Sequence, residues 1–114
     1  MDIYTDVIHL EPSDIQMNNG KKMISGITGN GLVVVYAPWC HHCKNLKATW
    51  KRLSDSNRTK FLAVDSTDSK MGGNAVSQMM GANGFPSIFV VKNGEIVGPY
   101  SGTREQSELN SAAQ

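Results

Sequence analysis

Tyr36-Ala37-Pro38-Trp39-Cys40-His41-His42-Cys43-Lys44 holds the only two cysteines of the chain, and the residue pattern changes across it. Ahead of it, Leu32-Val33-Val34-Val35-Tyr36 is an apolar run rich in β-branched residues and short enough for a buried parallel strand. Behind it, Cys43, Leu46 and Trp50 recur at helical spacing among Lys44, Lys47 and Lys51. The spacing predicts a buried strand turning into a helix, with Cys40 at the helix N-terminus and Cys43 about one turn further in.

A helix N-terminus presents unpaired N–H groups and partial positive charge, so it favours a thiolate there. The dipole supplies roughly 0.3–1 kcal/mol, less than one pKa unit. A protonated His41 or His42 within about 4 Å of the sulfur adds about 1 kcal/mol in water, or about 4 at an effective dielectric of 20. Histidine is therefore expected to be the larger contribution, with Cys40 the low-pKa nucleophile. Residues three apart on a helix are surface neighbours, so the two sulfurs can reach disulfide geometry. Such a bridge closes a very small loop and stabilises little, which suits a bond that is made and broken. A structural staple is the weaker alternative for that reason. Half of a zinc site is another, but structural zinc usually takes four ligands and no second cysteine pair exists. No metal and no organic cofactor is expected.

The 114 residues, 39% hydrophobic and 18% charged with a net charge of +1, are expected to form one domain over 1–114 with ordinary globular composition. No basic stripe supports nucleic-acid binding, and no apolar run approaches the roughly 20 residues needed to cross a membrane. Met1-Asp2-Ile3-Tyr4-Thr5-Asp6 lacks the charge pattern of a secretory signal, and Ser111-Ala112-Ala113-Gln114 is not a retention signal. An intracellular, cytoplasmic setting is the expectation from this, with a virion or an oxidising compartment as the alternative. A monomer is expected.

Along the chain, residues 3–10 suit a first strand, and Pro12-Ser13-Asp14 are helix-start residues. Ile15, Met17, Met23, Ile24 and Ile27 then predict one short or broken helix, interrupted at Asn18-Asn19-Gly20. The helix after the cysteines is expected to run to about Ser54, followed by a strand at Phe61–Val64 and a helix from Gly72-Gly73-Asn74 through Met80. Ser87–Val91 reads as a strand, Asn93-Gly94 as a hairpin turn, and Ile96-Val97 as the return strand, with Gly98-Pro99 an edge or bulge. A helix from about Thr103 to Ala112 ends the chain. The predicted order is βαβαβαββα, an α/β fold with a central mixed sheet flanked by helices.

At this point the chain resembles the thioredoxin superfamily, and within it a catalytic domain of the protein disulfide isomerases. The resemblance rests on Tyr36-Ala37-Pro38-Trp39-Cys40 with Cys43-Lys44-Asn45-Leu46-Lys47, on Val64-Asp65-Ser66-Thr67-Asp68, on Gly84-Phe85-Pro86-Ser87-Ile88 and on Tyr100-Ser101-Gly102-Thr103-Arg104. It implies a thioredoxin fold and a thiol–disulfide oxidoreductase acting on protein disulfides or dithiols. Cys40 would attack and Cys43 resolve, with His42, and the additional His41, supporting the Cys40 thiolate. Pro86 would be the family's cis-proline, Trp39 and Phe85 an apolar lip for substrate, and Arg104 a modulator of Cys43. The redox partner, glutathione or a thioredoxin-reductase-type protein, stays open. So do two alternatives: a thioredoxin-like reductase, and a poorly catalytic binding module.

Four positions depart from the pattern. The family's buried acid is Val34 here and its buried lysine partner is Ala63. Exchanging both members of a buried ion pair for apolar residues leaves the fold intact but predicts a slower resolving step. Ala48 stands where the active-site helix usually carries a kinking proline, and His41 where a glycine is usual.

Overall fold

The apolar run that precedes the cysteines has no solvent face at all. In the computed structural model, which describes residues 3–114, it is a strand over Gly31–Tyr36 with every residue buried. The strands in chain order are β1 (Ile8–His9), β2 (Ile15–Asn18), β3 (Lys21–Ile24), β4 (Gly31–Tyr36), β5 (Phe61–Asp65), β6 (Ser87–Lys92) and β7 (Glu95–Pro99), and the helices are α1 (His41–Ser56), α2 (Gly73–Met80) and α3 (Gln106–Ala112). Single 3-10 turns lie at Pro12–Asp14 and Arg58–Lys60. The sheet order is β1-β5-β4-β6-β7-β3-β2. Strands β1, β5 and β4 are parallel, whereas β6, β7, β3 and β2 add antiparallel pairings. This is the central mixed sheet flanked by helices that the sequence predicts.

Alternation along the central strands sorts the core into two layers. Leu32, Val34 and Tyr36 face one side with Phe61, Ala63 and the helices α1 and α3. Val33 and Val35 face the other with Leu62, Val64 and Val76 and Met80 of α2. A strand covered on both faces has no polar positions, which is why this run reads as continuous apolar sequence. Helix α1 buries Cys43, Leu46, Trp50 and Leu53, at i, i+3, i+7 and i+10, against the sheet. Trp50 satisfies its indole N–H on the Leu62 carbonyl at 3.2 Å. The helix runs two residues beyond Ser54 and stops at Asn57.

The predicted first helix is absent. Ile15 to Ile24 instead form the β2–β3 hairpin, in which Ile15 pairs with Ile24 and Asn18 with Lys21. Asn19 (φ 54°) and Gly20 (φ 80°) both take the left-handed conformation, as a two-residue type I′ turn requires. Of the apolar residues that suggested a helix, only Ile15 and Ile24 are buried, and Met17 is 61% exposed. The hairpin joins the sheet through Met23 opposite Glu95, and the Ile24 N–H donates to the Gly94 carbonyl at 2.8 Å. Asn93-Gly94 repeats the same turn at φ 52° and 79°. There a Cβ on Gly94 would collide with the Ile27 carbonyl oxygen, so only glycine fits.

Three smaller expectations shift. The first strand is confined to Ile8–His9, because residues 3–7 bend and turn, with Asp6 at φ 65°. The expectation about a leader at Met1 and Asp2 falls outside the described residues. The extra residue of the terminal hairpin is Val97, since Val91 pairs with Ile96 and Val90 with Gly98, and Pro99 still pairs with Phe89. Helix α3 starts at Gln106 rather than Thr103, because the Tyr100 hydroxyl donates to the Thr103 carbonyl and the Thr103 hydroxyl donates to Glu108. Those bonds hold residues 100–105 as a loop.

Candidate active site

The end of β4 and the start of α1 are joined by one tight turn, closed by the Cys40 N–H on the Ala37 carbonyl at 3.0 Å. Cys40 has extended backbone (φ −81°, ψ 122°) and occupies the N-cap position of α1, next to the free N–H groups of the first helical turn. Cys43 lies within that turn. Both thiols are free; Cys43 is fully buried and Cys40 retains 8% of its surface. The antiparallel pairing of β4 with β6, with Val35 opposite Ser87, carries the loop before β6 to the same corner. Phe85-Pro86 is a cis peptide there, and the Cys40 thiol donates to the Phe85 carbonyl at 3.5 Å. Trp39 is 69% exposed and meets the Phe85 ring edge-on, centroids 5.9 Å apart, forming an apolar rim beside the sulfur.

The two thiols are driven in opposite directions. Burial pushes the Cys40 thiol up, but four effects together outweigh it and hold it below the ordinary range: the hydrogen bond from the Cys43 thiol, the backbone N–H groups of Cys43 and His42, and the charge of Arg104. Burial pushes the Cys43 thiol up to about 12 against lowering by the Ala37 backbone, the next largest effect; the bond to Cys40 and the Cys40 charge add to the rise, and Arg104 opposes it least. Cys40 is thus the sulfur that ionises and Cys43 the one that keeps its proton.

His41 and His42 are both exposed, their rings 5.9 Å apart, and neither imidazole is among the groups that lower Cys40. Main-chain donors and the neighbouring thiol hold the thiolate instead, because an N-cap sulfur lies against the helix backbone while consecutive helical side chains splay into solvent. Arg104 is exposed on the loop before α3 and lies along a groove with His42, Asn45, Leu46 and Thr49.

Beneath the cysteines, Val34 and Ala63 are cross-strand partners and both fully buried, so the family's ion-pair position is filled by packed apolar side chains. A residue that the sequence did not single out reaches the same place. Tyr4 is fully buried, stacks on Tyr36 with centroids 4.4 Å apart, and donates its hydroxyl to the Cys43 carbonyl at 2.9 Å. Burial and the nearby cysteine charges raise its phenol further above its already high range, so it stays a neutral donor. Its only sequence signal is a lone aromatic 39 residues from Cys43, which periodicity cannot interpret. Among the described residues no group of three His, Cys, Asp or Glu side chains is placed to hold a metal ion. What the corner can do is ionise one sulfur and deliver a second to it.

The thioredoxin family profile matches residues 13–114. Protein disulfide-isomerase A6 of Mesocricetus auratus is 35% identical over 88 residues, covering 72% of this chain and 19% of that protein. The chain spans about a fifth of the length of the curated relatives it matches. Among solved structures, the J-Trx1 fragment of ERdj5 superposes with a TM-score of 0.66 at 26% identity, covering 95% of this chain and 50% of that one. Oxidised mitochondrial thioredoxin 3 from Saccharomyces cerevisiae superposes with a TM-score of 0.68 at 18% identity, covering 96% and 95%, and so shares the fold.

Proposed function

The chain belongs to the thioredoxin family, and on that footing we propose that it is a thiol–disulfide oxidoreductase of isomerase type, acting on protein disulfides through Cys40 and Cys43. The observation that carries this reading is the opposed setting of the two sulfurs, one lowered and touching the Phe85 carbonyl, the other raised and sealed. The Cys40 thiolate attacks one sulfur of a substrate disulfide. That S–S bond breaks, the second substrate sulfur leaves as a thiolate and takes a proton, and a mixed disulfide forms. Cys43 then loses its proton and attacks the Cys40 sulfur, giving the Cys40–Cys43 disulfide and a reduced substrate. Two electrons pass to the substrate in this direction and return in the reverse one. Isomerisation needs only that a substrate thiol attacks the mixed disulfide before Cys43 does.

Trp39 and Phe85 would support an extended substrate at the rim, with the main chain of Phe85 pairing to it in strand-addition fashion. A high-pKa Cys43 with no carboxylate at Val34 prolongs the mixed disulfide, which favours isomerisation over net reduction. The same two residues favour one competing reading, a binding module that captures substrates and turns over slowly.

The test is the Cys40–Cys43 reduction potential, measured by equilibration in glutathione buffers beside refolding of a scrambled disulfide protein. The expected value is roughly −150 to −220 mV, with measurable reactivation of the scrambled protein. A value near about −270 mV makes the domain a reductase of thioredoxin type. A pair that does not exchange at all leaves only the binding module.

A further inference from the structure

His42, Asn45, Leu46 and Thr49 share one face of α1 at i, i+3, i+4 and i+7, and Arg104 closes this face into a groove of about 200 Å³ beside the cysteine corner. Among the described residues, every polar side chain lining it can donate a hydrogen bond, and none is an aspartate or glutamate. The Arg104 guanidinium has no hydrogen-bond or ion-pair partner among the described residues. Its charge nevertheless reaches both sulfurs. Helix α1 itself carries Lys44, Lys47, Lys51 and Arg52 against one acid, Asp55. The cavity lined by His9 and Tyr36 is built oppositely, with Glu11, Asp65 and Asp68 in its wall. An unpaired planar guanidinium in an acid-free wall of donors fits one ligand chemistry, since its fork matches a carboxylate in bidentate fashion.

We propose that this groove is a carboxylate subsite, which takes an acidic group that the substrate carries close to its reactive sulfur. The proposal rests on the oxidoreductase reading and names the substrate class of the same site. The carboxylate can come from a Glu or Asp side chain flanking a cysteine in a polypeptide, or from a small acidic disulfide of glutathione type. The attack by Cys40 is unchanged; the groove acts before it, by holding the substrate while the sulfurs align.

Three probes separate these cases: two otherwise identical disulfide peptides with Glu or Gln beside the cysteine, and glutathione disulfide. For such an exposed contact, kcat/KM is expected to be about threefold higher for the Glu peptide than for the Gln peptide, through KM, and to converge with it in high salt. Arg104→Gln should bring the ratio to one, and Arg104→Lys should restore part of it. A loss confined to the peptides assigns the subsite to polypeptide substrates, and a loss confined to glutathione disulfide assigns it to the small thiol. Equal rates for the Glu and Gln peptides with no effect of Arg104→Gln on glutathione disulfide, or a ratio that survives Arg104→Gln, overturns the subsite while leaving the oxidoreductase reading in place. Binding is read without turnover by titrating the oxidised protein with S-methylated Glu and Gln peptides and following the Asn45 side-chain amide by NMR. Glu-selective shifts without turnover of any probe keep the subsite and overturn the oxidoreductase reading. No shift with either peptide and no turnover removes both.

Discussion

Cys40 and Cys43 are three residues apart, yet they sit in two different solvents. Around Cys40 the surroundings are main-chain donors, a neighbouring thiol and a window to water. Around Cys43 they are Val34, Ala63, Leu46 and the phenol of Tyr4, with no exposure. The difference teaches that the sulfur that ionises and the sulfur that keeps its proton are told apart by how the backbone meets each of them. Helix α1 offers its open N–H groups to the first and turns the second into the core.

The comparison breaks most completely when either sulfur is removed. Cys40→Ser should abolish disulfide exchange, whereas Cys43→Ser should still attack and accumulate a mixed disulfide visible by mass spectrometry. If Cys43→Ser releases substrate as fast as the parent, Cys43 is not the resolving group. The next effect comes from restoring an acid beneath the pair. Val34→Glu should speed release of a trapped mixed disulfide by about tenfold or more, since positioned proton transfer typically contributes 10²–10⁴. An unchanged stopped-flow rate would mean that another group already takes the Cys43 proton.

Stability should register the same contrast through pH. With a depressed folded pKa, Cys40 makes the reduced protein gain stability as pH rises toward the unfolded thiol value near about 8.5. With a folded pKa of about 12, Cys43 keeps a proton that the unfolded chain releases, so stability falls again above that value. The melting temperature of the reduced protein should therefore peak near pH 8.5, and the oxidised protein, lacking both thiols, should lose that curvature. Tyr4→Phe keeps the stacking on Tyr36 and deletes the bond to the Cys43 carbonyl; it should cost about 1 kcal/mol in urea unfolding and raise the Cys40 pKa slightly. The smallest change is expected from His41→Gly, whose exposed ring takes no part in lowering Cys40. A pH profile of iodoacetamide alkylation that moves by a full unit would return the histidine to the thiolate.

What could be read from residues alone follows the same line between local and distant causes. Leu32 to Tyr36, the helix with Cys43, Leu46 and Trp50, and the Asn93-Gly94 hairpin are each specified by neighbours in sequence. Asn19-Gly20 has the same dipeptide chemistry as Asn93-Gly94 but lies between Met17 and Met23, whose apolar character mimicked a helical face although Met17 is solvent-exposed. The candidate residues Trp39, Cys40, Cys43, Phe85 and Pro86 were singled out through their motifs, and the structure gathers them at one corner. Tyr4 was not legible, because only the folded chain carries it to Cys43. The main-chain donors at the helix N-terminus followed from the position of Cys40, whereas their weight relative to the two imidazoles did not.

The seven-stranded sheet is bordered by its short strands, two residues in β1 and four in β2, and the outer hairpin turns back through Lys21 and Lys22. Short margins with lysines close by leave little open ladder for a foreign strand to extend. On the proposed reading, an extended substrate at the Phe85 corner would meet a domain whose sheet margins offer it no template for assembly.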